Sequence, residues 1–336
     1  MTTPVKKASP FARNHLIRDG INQAIYDTMK IDPAVFLCGE GAWVKAKYDA
    51  PQILEEFPDR IVTLPIAEDS SVNFAVGMAL LGIKPVVNLI TADFTFRAAD
   101  GIINTAAKLN FALPEGEPPR TIVIQAEFLL GGPTTGARPE MLFARIPGLN
   151  VVIPSTPNDA YGLMHTALTS PGVTIFLEDR MILDSLTAPE DMAGVGIMAI
   201  PFGEASIRRC PGGATLTIVT YGLMRQNVES ALDERKIDNV ELIDLRTLYP
   251  IDWATLFDSA QRTGKLLIIE PDVLYGGIGA EIAATAVDWG LYKISRLGAP
   301  RETIPASPAG HARMLPSPEE ILAAIRRMEG YGPGLV

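Results

Sequence analysis

Histidine is nearly absent from this chain, with only His15, His165 and His311 in 336 residues. No two stand at a metal-ligand spacing such as HxxxH, which argues against a zinc hydrolase. His15 and His165 fall in helical stretches, where a structural role is the simpler reading, and His311 falls in a loop. Cysteine is scarcer still. Cys38 and Cys210 are too widely separated for a disulfide framework or a metal cluster, so a reducing cytoplasm is the expected compartment and each thiol reads as a small buried apolar group. No long basic run is present, and a formal charge of −10, from 29 basic and 39 acidic residues, argues against nucleic-acid binding. No apolar stretch approaches the ~20 residues needed to span a bilayer. Residues 1–15 lack the apolar core of a signal peptide, so neither a membrane segment nor processing is expected. The serine-hydrolase elbow GxSxG is missing as well.

What is present is apolar and regularly patterned. A hydrophobic fraction of 47% and a mean hydropathy of +0.19 predict buried parallel sheet and extensive subunit interface. Helical spacing over 13–30 is followed by a strand at 34–38, and further strands are expected at 61–65, 85–90, 121–126, 150–153 and 173–177. Helices are expected between them at 98–111 and 158–169, the latter opened by Ser155, Thr156 and Pro157 as start signals. Periodicity lapses from 179 to about 207, and a second alternating block runs to the closing helix at 318–328. The expected fold is α/β with two doubly wound domains, at 1–185 and 208–336, joined by a linker at 186–207. Ligands of such sheets bind outside the carboxyl ends of the strands.

At one such end stands Glu68, closing Pro65-Ile66-Ala67-Glu68 just before a helix-like stretch. A carboxylate at this junction is costly to bury and has few local cations, so its partner must lie elsewhere, and a cofactor ring is one candidate. Asp93 and Asp100 bracket Phe94 and Phe96 after the strand at 85–90, which puts an acid and an aromatic ring at the ends of two strands. Core packing accounts for a lone phenylalanine equally well. The loop LLGGPTTGARP at 129–139 suits backbone contact with a ligand or a surface turn. The stretch Gly276-Gly277-Ile278-Gly279 superficially resembles a dinucleotide loop, but the third small position falls on Ile282, and tight helix packing is the better reading.

These residues carry a resemblance that covers nearly the whole chain. PIAE at 65–68, PVVNLITADF at 85–94, IINTAAKL at 102–109, FARIPGLNVVIPS at 143–155, TIVTYG at 217–222, DLRTLYPID at 244–252, GGIGAEIA at 276–283 and MLPS at 314–317 stand in the order of a known family. The chain resembles the beta subunit of the thiamine-diphosphate-dependent decarboxylating component of 2-oxo acid dehydrogenase complexes, of pyruvate, branched-chain and acetoin types. The resemblance implies a thiamine-diphosphate-binding (pyrimidine) fold followed by a transketolase C-terminal-domain-like fold. It places Glu68 against the aminopyrimidine ring, where a shared proton favours the imino tautomer that activates the cofactor. It places Phe94 on the face of that ring, with Ile66 and Ile90 as apolar neighbours.

The family's GDG magnesium motif is missing here. The resemblance therefore implies that a separate alpha subunit binds Mg2+ and the diphosphate in an α2β2 heterotetramer, acting on a small 2-oxo acid or related donor, with a lipoyl acyltransferase as a further partner. The chain also departs from the family: the loop histidine is replaced by Thr135, which cannot titrate near neutral pH. Asn88 stands where an acid is usual, and Gly41 follows Gly39-Glu40. Three readings follow: a dehydrogenase beta subunit, half of a non-oxidative transketolase-like or carboligating enzyme, or a non-catalytic assembly partner. Glu68 and Phe94 argue against the third, and Thr135 shifts weight towards the second.

Overall fold

The structure, a computed structural model, describes residues 16–42, 49–129, 132, 134–184, 198–210 and 213–330. His15, the start of the first expected helix, parts of the loop at 129–139 and most of the expected linker lie outside the described residues.

The first half runs α1 (Ile17–Ile31), β1 (Val35–Glu40), α2 (Pro51–Glu56), β2 (Ile61–Leu64), α3 (Glu68–Leu80), β3 (Lys84–Thr91), α4 (Leu109–Ala112), β4 (Thr121–Phe128), α5 (Glu140–Ala144), β5 (Leu149–Val152), α6 (Pro157–Thr169), β6 (Gly172–Asp179) and α7 (Arg180–Leu183). The second runs β7 (Ser206–Arg208), β8 (Leu216–Thr220), α8 (Leu223–Glu234), β9 (Val240–Asp244), β10 (Thr247–Tyr249), α9 (Trp253–Thr263), β11 (Leu266–Val273), α10 (Ile278–Asp288), β12 (Ile294–Ala299), α11 (Pro308–His311) and α12 (Pro318–Glu329). A seven-stranded sheet has the order β10-β5-β6-β4-β3-β1-β2 and a five-stranded sheet the order β12-β11-β8-β9-β7. Within each sheet the interior pairs are parallel, and β10 and β7 close one edge each in antiparallel fashion.

Central strands such as β4 and β6 are buried along nearly their whole length, as their apolar segments at 122–124 and 175–177 require between two helical layers. The start signals before α6 act as expected: the Thr156 hydroxyl accepts the Asp159 amide and Pro157 opens the helix. Helix α12 carries a full capping box between Ser317 and Glu320. Close approach of β1 to β3 depends on Gly39, which has φ +115°; a Cβ there would sit 2.3 Å from the Asn88 carbonyl oxygen.

Three expectations are corrected. The stretch 98–111 is not one helix: a π turn at Gly101–Thr105 and a 3₁₀ turn at Ala106–Lys108 precede α4. Asp69 Oδ1 accepts the Gly101 amide at 2.9 Å, which draws that donor out of the regular helical ladder. Residues read as the end of a linker instead form β7, paired with β9. Cys210 is only half-buried, unlike Cys38, whose thiol burial pushes up to about 12.

Buried charges join the two halves. Arg138 Nε lies 2.8 Å from Glu140 Oε1 and its Nη2 3.3 Å from Asp179 Oδ2, while its guanidinium stacks on Phe128 at 3.8 Å. From the second half, the Tyr221 hydroxyl donates to Glu140 and the Leu223 amide to Asp179, each at 3.3 Å.

Candidate functional site

Strand β1 lies between β2 and β3, all three parallel, with Glu40 opposite Leu64 and Gly39 opposite Asn88. Their carboxyl ends therefore open onto one edge of the sheet. Glu40 ends β1, Glu68 opens α3 four residues beyond β2, and Phe94 lies in the 3₁₀ turn Ala92–Phe96 after β3. The sequence order of the strands scatters these residues; the sheet order collects them.

Glu68 is 5% exposed. It sits in the first turn of α3, where free backbone amides and the helix dipole favour a negative charge. Its Oε2 lies 3.4 Å from Arg97 Nε. Among the described residues no hydrogen bond to this carboxylate is found. Glu40, 2% exposed, turns Oε1 to the Ala67 amide at 3.1 Å, and its Oε2 has no partner among the described residues. Burial, and then the charge of Glu68, raises the Glu40 carboxyl above its ordinary value.

The walls of this edge are apolar and open. Ile66 is 81% exposed and Ile90 42%. Ile90 has φ +62°, an uncommon conformation for a β-branched residue, and its amide donates to Asn88 Oδ1 at 2.9 Å. Phe94 is half-buried. Asp93 receives two amides of the glycine-rich loop, Gly136 N at 2.7 Å and Ala137 N at 3.1 Å. Thr135, half-buried, donates its own amide to the Gly132 carbonyl at 3.2 Å.

The sequence-derived candidates thus meet as two linked groups. Glu68 is tied by Arg97 to the turn bearing Phe94, and Asp93 ties that turn to the loop bearing Thr135. Arg97 and the pairing of Glu40 with the PIAE segment were not foreseen. Glu40 has a legible signal in its position at the end of a predicted parallel strand; Arg97 has none, since only the fold brings it to Glu68.

A ring carrying a hydrogen-bond donor fits this edge. A nearly buried carboxylate without a donor needs one, and the exposed isoleucines with Phe94 supply apolar walls for an aromatic face. Among the described residues no cluster of three or more His, Cys, Asp or Glu is placed to hold a metal ion. No helix among them is long and apolar enough to cross a membrane.

Comparison with known proteins decides the family. Residues 15–185 match the transketolase pyrimidine-binding domain and residues 203–321 the transketolase C-terminal domain. The chain belongs to this transketolase-like family. It is 34% identical, over 94% of its length and 98% of the relative's, to the acetoin:2,6-dichlorophenolindophenol oxidoreductase subunit beta of Cupriavidus necator. It is 31% identical to a pyruvate dehydrogenase E1 component subunit beta from Rickettsia felis, over 94% of this chain and 98% of that one. It is 30% identical to the 2-oxoisovalerate dehydrogenase subunit beta of Bacillus subtilis, over 93% and 98%. Among solved structures, a split-gene transketolase described as an inactive beta4 tetramer superposes with a TM-score of 0.79, covering 94% of this chain and 99% of that one at 19% identity. That likeness bears on the fold, which is the expected pair of α/β units.

Proposed function

We propose that the chain is the beta subunit of a heteromeric thiamine-diphosphate-dependent enzyme that decarboxylates a 2-oxo acid and hands on its acyl or aldehyde group. The observation that carries the reading is Glu68, a nearly buried carboxylate with no hydrogen-bond donor among the described residues, at the carboxyl edge of a parallel sheet. Glu68 holds a proton between its carboxyl oxygen and the aminopyrimidine. Ile66, Ile90 and Phe94 would pack against that ring and orient it. Asp93 fixes the loop that carries Thr135. Bound thiamine diphosphate supplies the electron sink for decarboxylation. Its diphosphate and Mg2+ fall to an alpha subunit in an α2β2 assembly, and a lipoyl acyltransferase is the acceptor in the oxidative version of the reaction.

The names of the relatives favour this over the non-oxidative alternative, which rests on Thr135 alone. The test is exchange of the thiazolium proton in the complex with the cognate alpha subunit, followed by NMR. Glu68→Gln is expected to slow exchange about 100- to 10,000-fold, the range for a positioned acid, with assembly intact by size-exclusion chromatography. A wild-type complex that shows no exchange overturns the proposal.

A further inference from the structure

Arg97 is a largely exposed side chain. It is 75% exposed, and it forms an ion pair with Glu68, 6% exposed, at 3.4 Å. The backbone turn at Phe94–Arg97 holds its own hydrogen bond from the Arg97 amide to the Phe94 carbonyl without the side chain. The guanidinium therefore lies at the surface beside Glu68. It faces the one carboxylate that the proposed function requires for another donor.

We propose that Arg97 is a positioning residue that competes with the cofactor ring for Glu68: it pairs with the carboxylate and has to be displaced when the aminopyrimidine binds. The inference rests on the reading of Glu68 given above. Three features support competition rather than joint binding. The ion pair is at the long end of the range, without a well-aligned hydrogen bond, so little holds it. Glu68 is only 5% exposed, which leaves little open surface through which two outside donors could reach it together. Glu40, the other carboxylate of the edge, is already engaged with the Ala67 amide and is only 2% exposed, so Arg97 could not pair with it without burying its own charge. Arg97 thereby shields a like-charged carboxylate pair until the ring arrives, at a cost to affinity.

The test is titration calorimetry of thiamine diphosphate, with Mg2+, into the assembled complex of wild type, Arg97→Gln, Arg97→Lys and Glu68→Gln. Exposed ion pairs are weak, so Arg97→Gln should bind about two- to five-fold more tightly than wild type at low salt, while Arg97→Lys, which keeps the charge, stays near wild type. The gap between wild type and Arg97→Gln should close as ionic strength rises, because salt screens the competing pair. A residue with a merely structural or substrate-binding role would not yield a gain that salt erases. Equal or weaker binding by Arg97→Gln sinks the inference and leaves the proposed function standing. If the wild-type complex does not bind the cofactor, or Glu68→Gln binds it as wild type does, the reading of Glu68 fails and takes the inference with it.

Discussion

Asp93 Oδ2 accepts the Gly136 amide at 2.7 Å, across 43 residues of sequence, and its Oδ1 accepts the next amide, Ala137 N, at 3.1 Å. One carboxylate thus holds the glycine-rich loop to the turn that carries Phe94.

Asp93→Ala removes both acceptors at once. Hydrogen bonds to a charged group contribute about 1.5–3 kcal/mol each at most, and the loop is the part released. Amide hydrogen exchange at Gly136 and Ala137 is expected to quicken at least ~10-fold, with global stability falling by only about 1–3 kcal/mol. Asp93→Asn, which keeps one acceptor, should fall between. Unchanged exchange at the two amides counts against the clamp.

Arg138 is the reverse case, a buried cation shared by two buried carboxylates. Burial works against its charge, but Glu140 and Asp179 outweigh it and hold the guanidinium pKa above its ordinary value. Arg138→Met preserves bulk and strands both acids, so denaturant unfolding should report a loss of about 3–5 kcal/mol. A loss below ~1 kcal/mol would show that the acids find other partners.

Asp244 gives a pH signature. Burial, then the charge of Asp159, pushes its carboxyl from 3.8 up to about 7. Asp159 itself pairs with Arg246 at 2.7 Å, and Asp244 Oδ2 has no hydrogen-bond partner among the described residues. Between about pH 4 and pH 7 the folded chain keeps a proton that the unfolded chain has released, so this group's stabilisation is complete below pH 4 and is lost as pH rises through 7. Asp244→Asn should therefore gain on wild type in melting temperature as pH rises from 5 to 7, and the difference should level off above 8. A pH-independent difference would assign the proton elsewhere.

Thr135→His tests what the loop does in the reaction. Histidine titrates near pH 6.5 whereas threonine does not. The substitution is expected to raise lipoamide-dependent acyl transfer in the assembled complex, with a new limb in the pH–rate profile between pH 6 and 7. No increase, with cofactor activation intact, favours a non-oxidative acceptor.

The alternation of strand and helix was legible because buried parallel strands and amphipathic helices leave opposite periods in the chain, and Thr156-Pro157 marked the start of α6 almost to the residue. The edge strands were harder to read. β7 and β10 each span only three residues, too short for a period to register. The stretch after Phe94 has helical apolar spacing, but its ladder is broken by Asp69, about thirty residues earlier, which no local pattern reveals. Within the site, Glu68 and Phe94 could be singled out because each stands just past a strand. Arg97 has no such local signal, and its pairing follows only from the order β3-β1-β2.

That order also bears on how the protein can be divided. Strand β10 belongs by sequence to the second half, yet it lies along β5 of the first sheet, with Thr247 opposite Val152 and the Ile153 amide donating to Arg246 O at 2.9 Å. A fragment ending near residue 185 would expose the outer rim of β5, a row of unsatisfied amides and carbonyls on a largely apolar strand, which is a template for self-association. Severing the chain between its two sheets should thus yield an insoluble first piece, and adding back a peptide spanning 244–252 should be enough to keep it in solution.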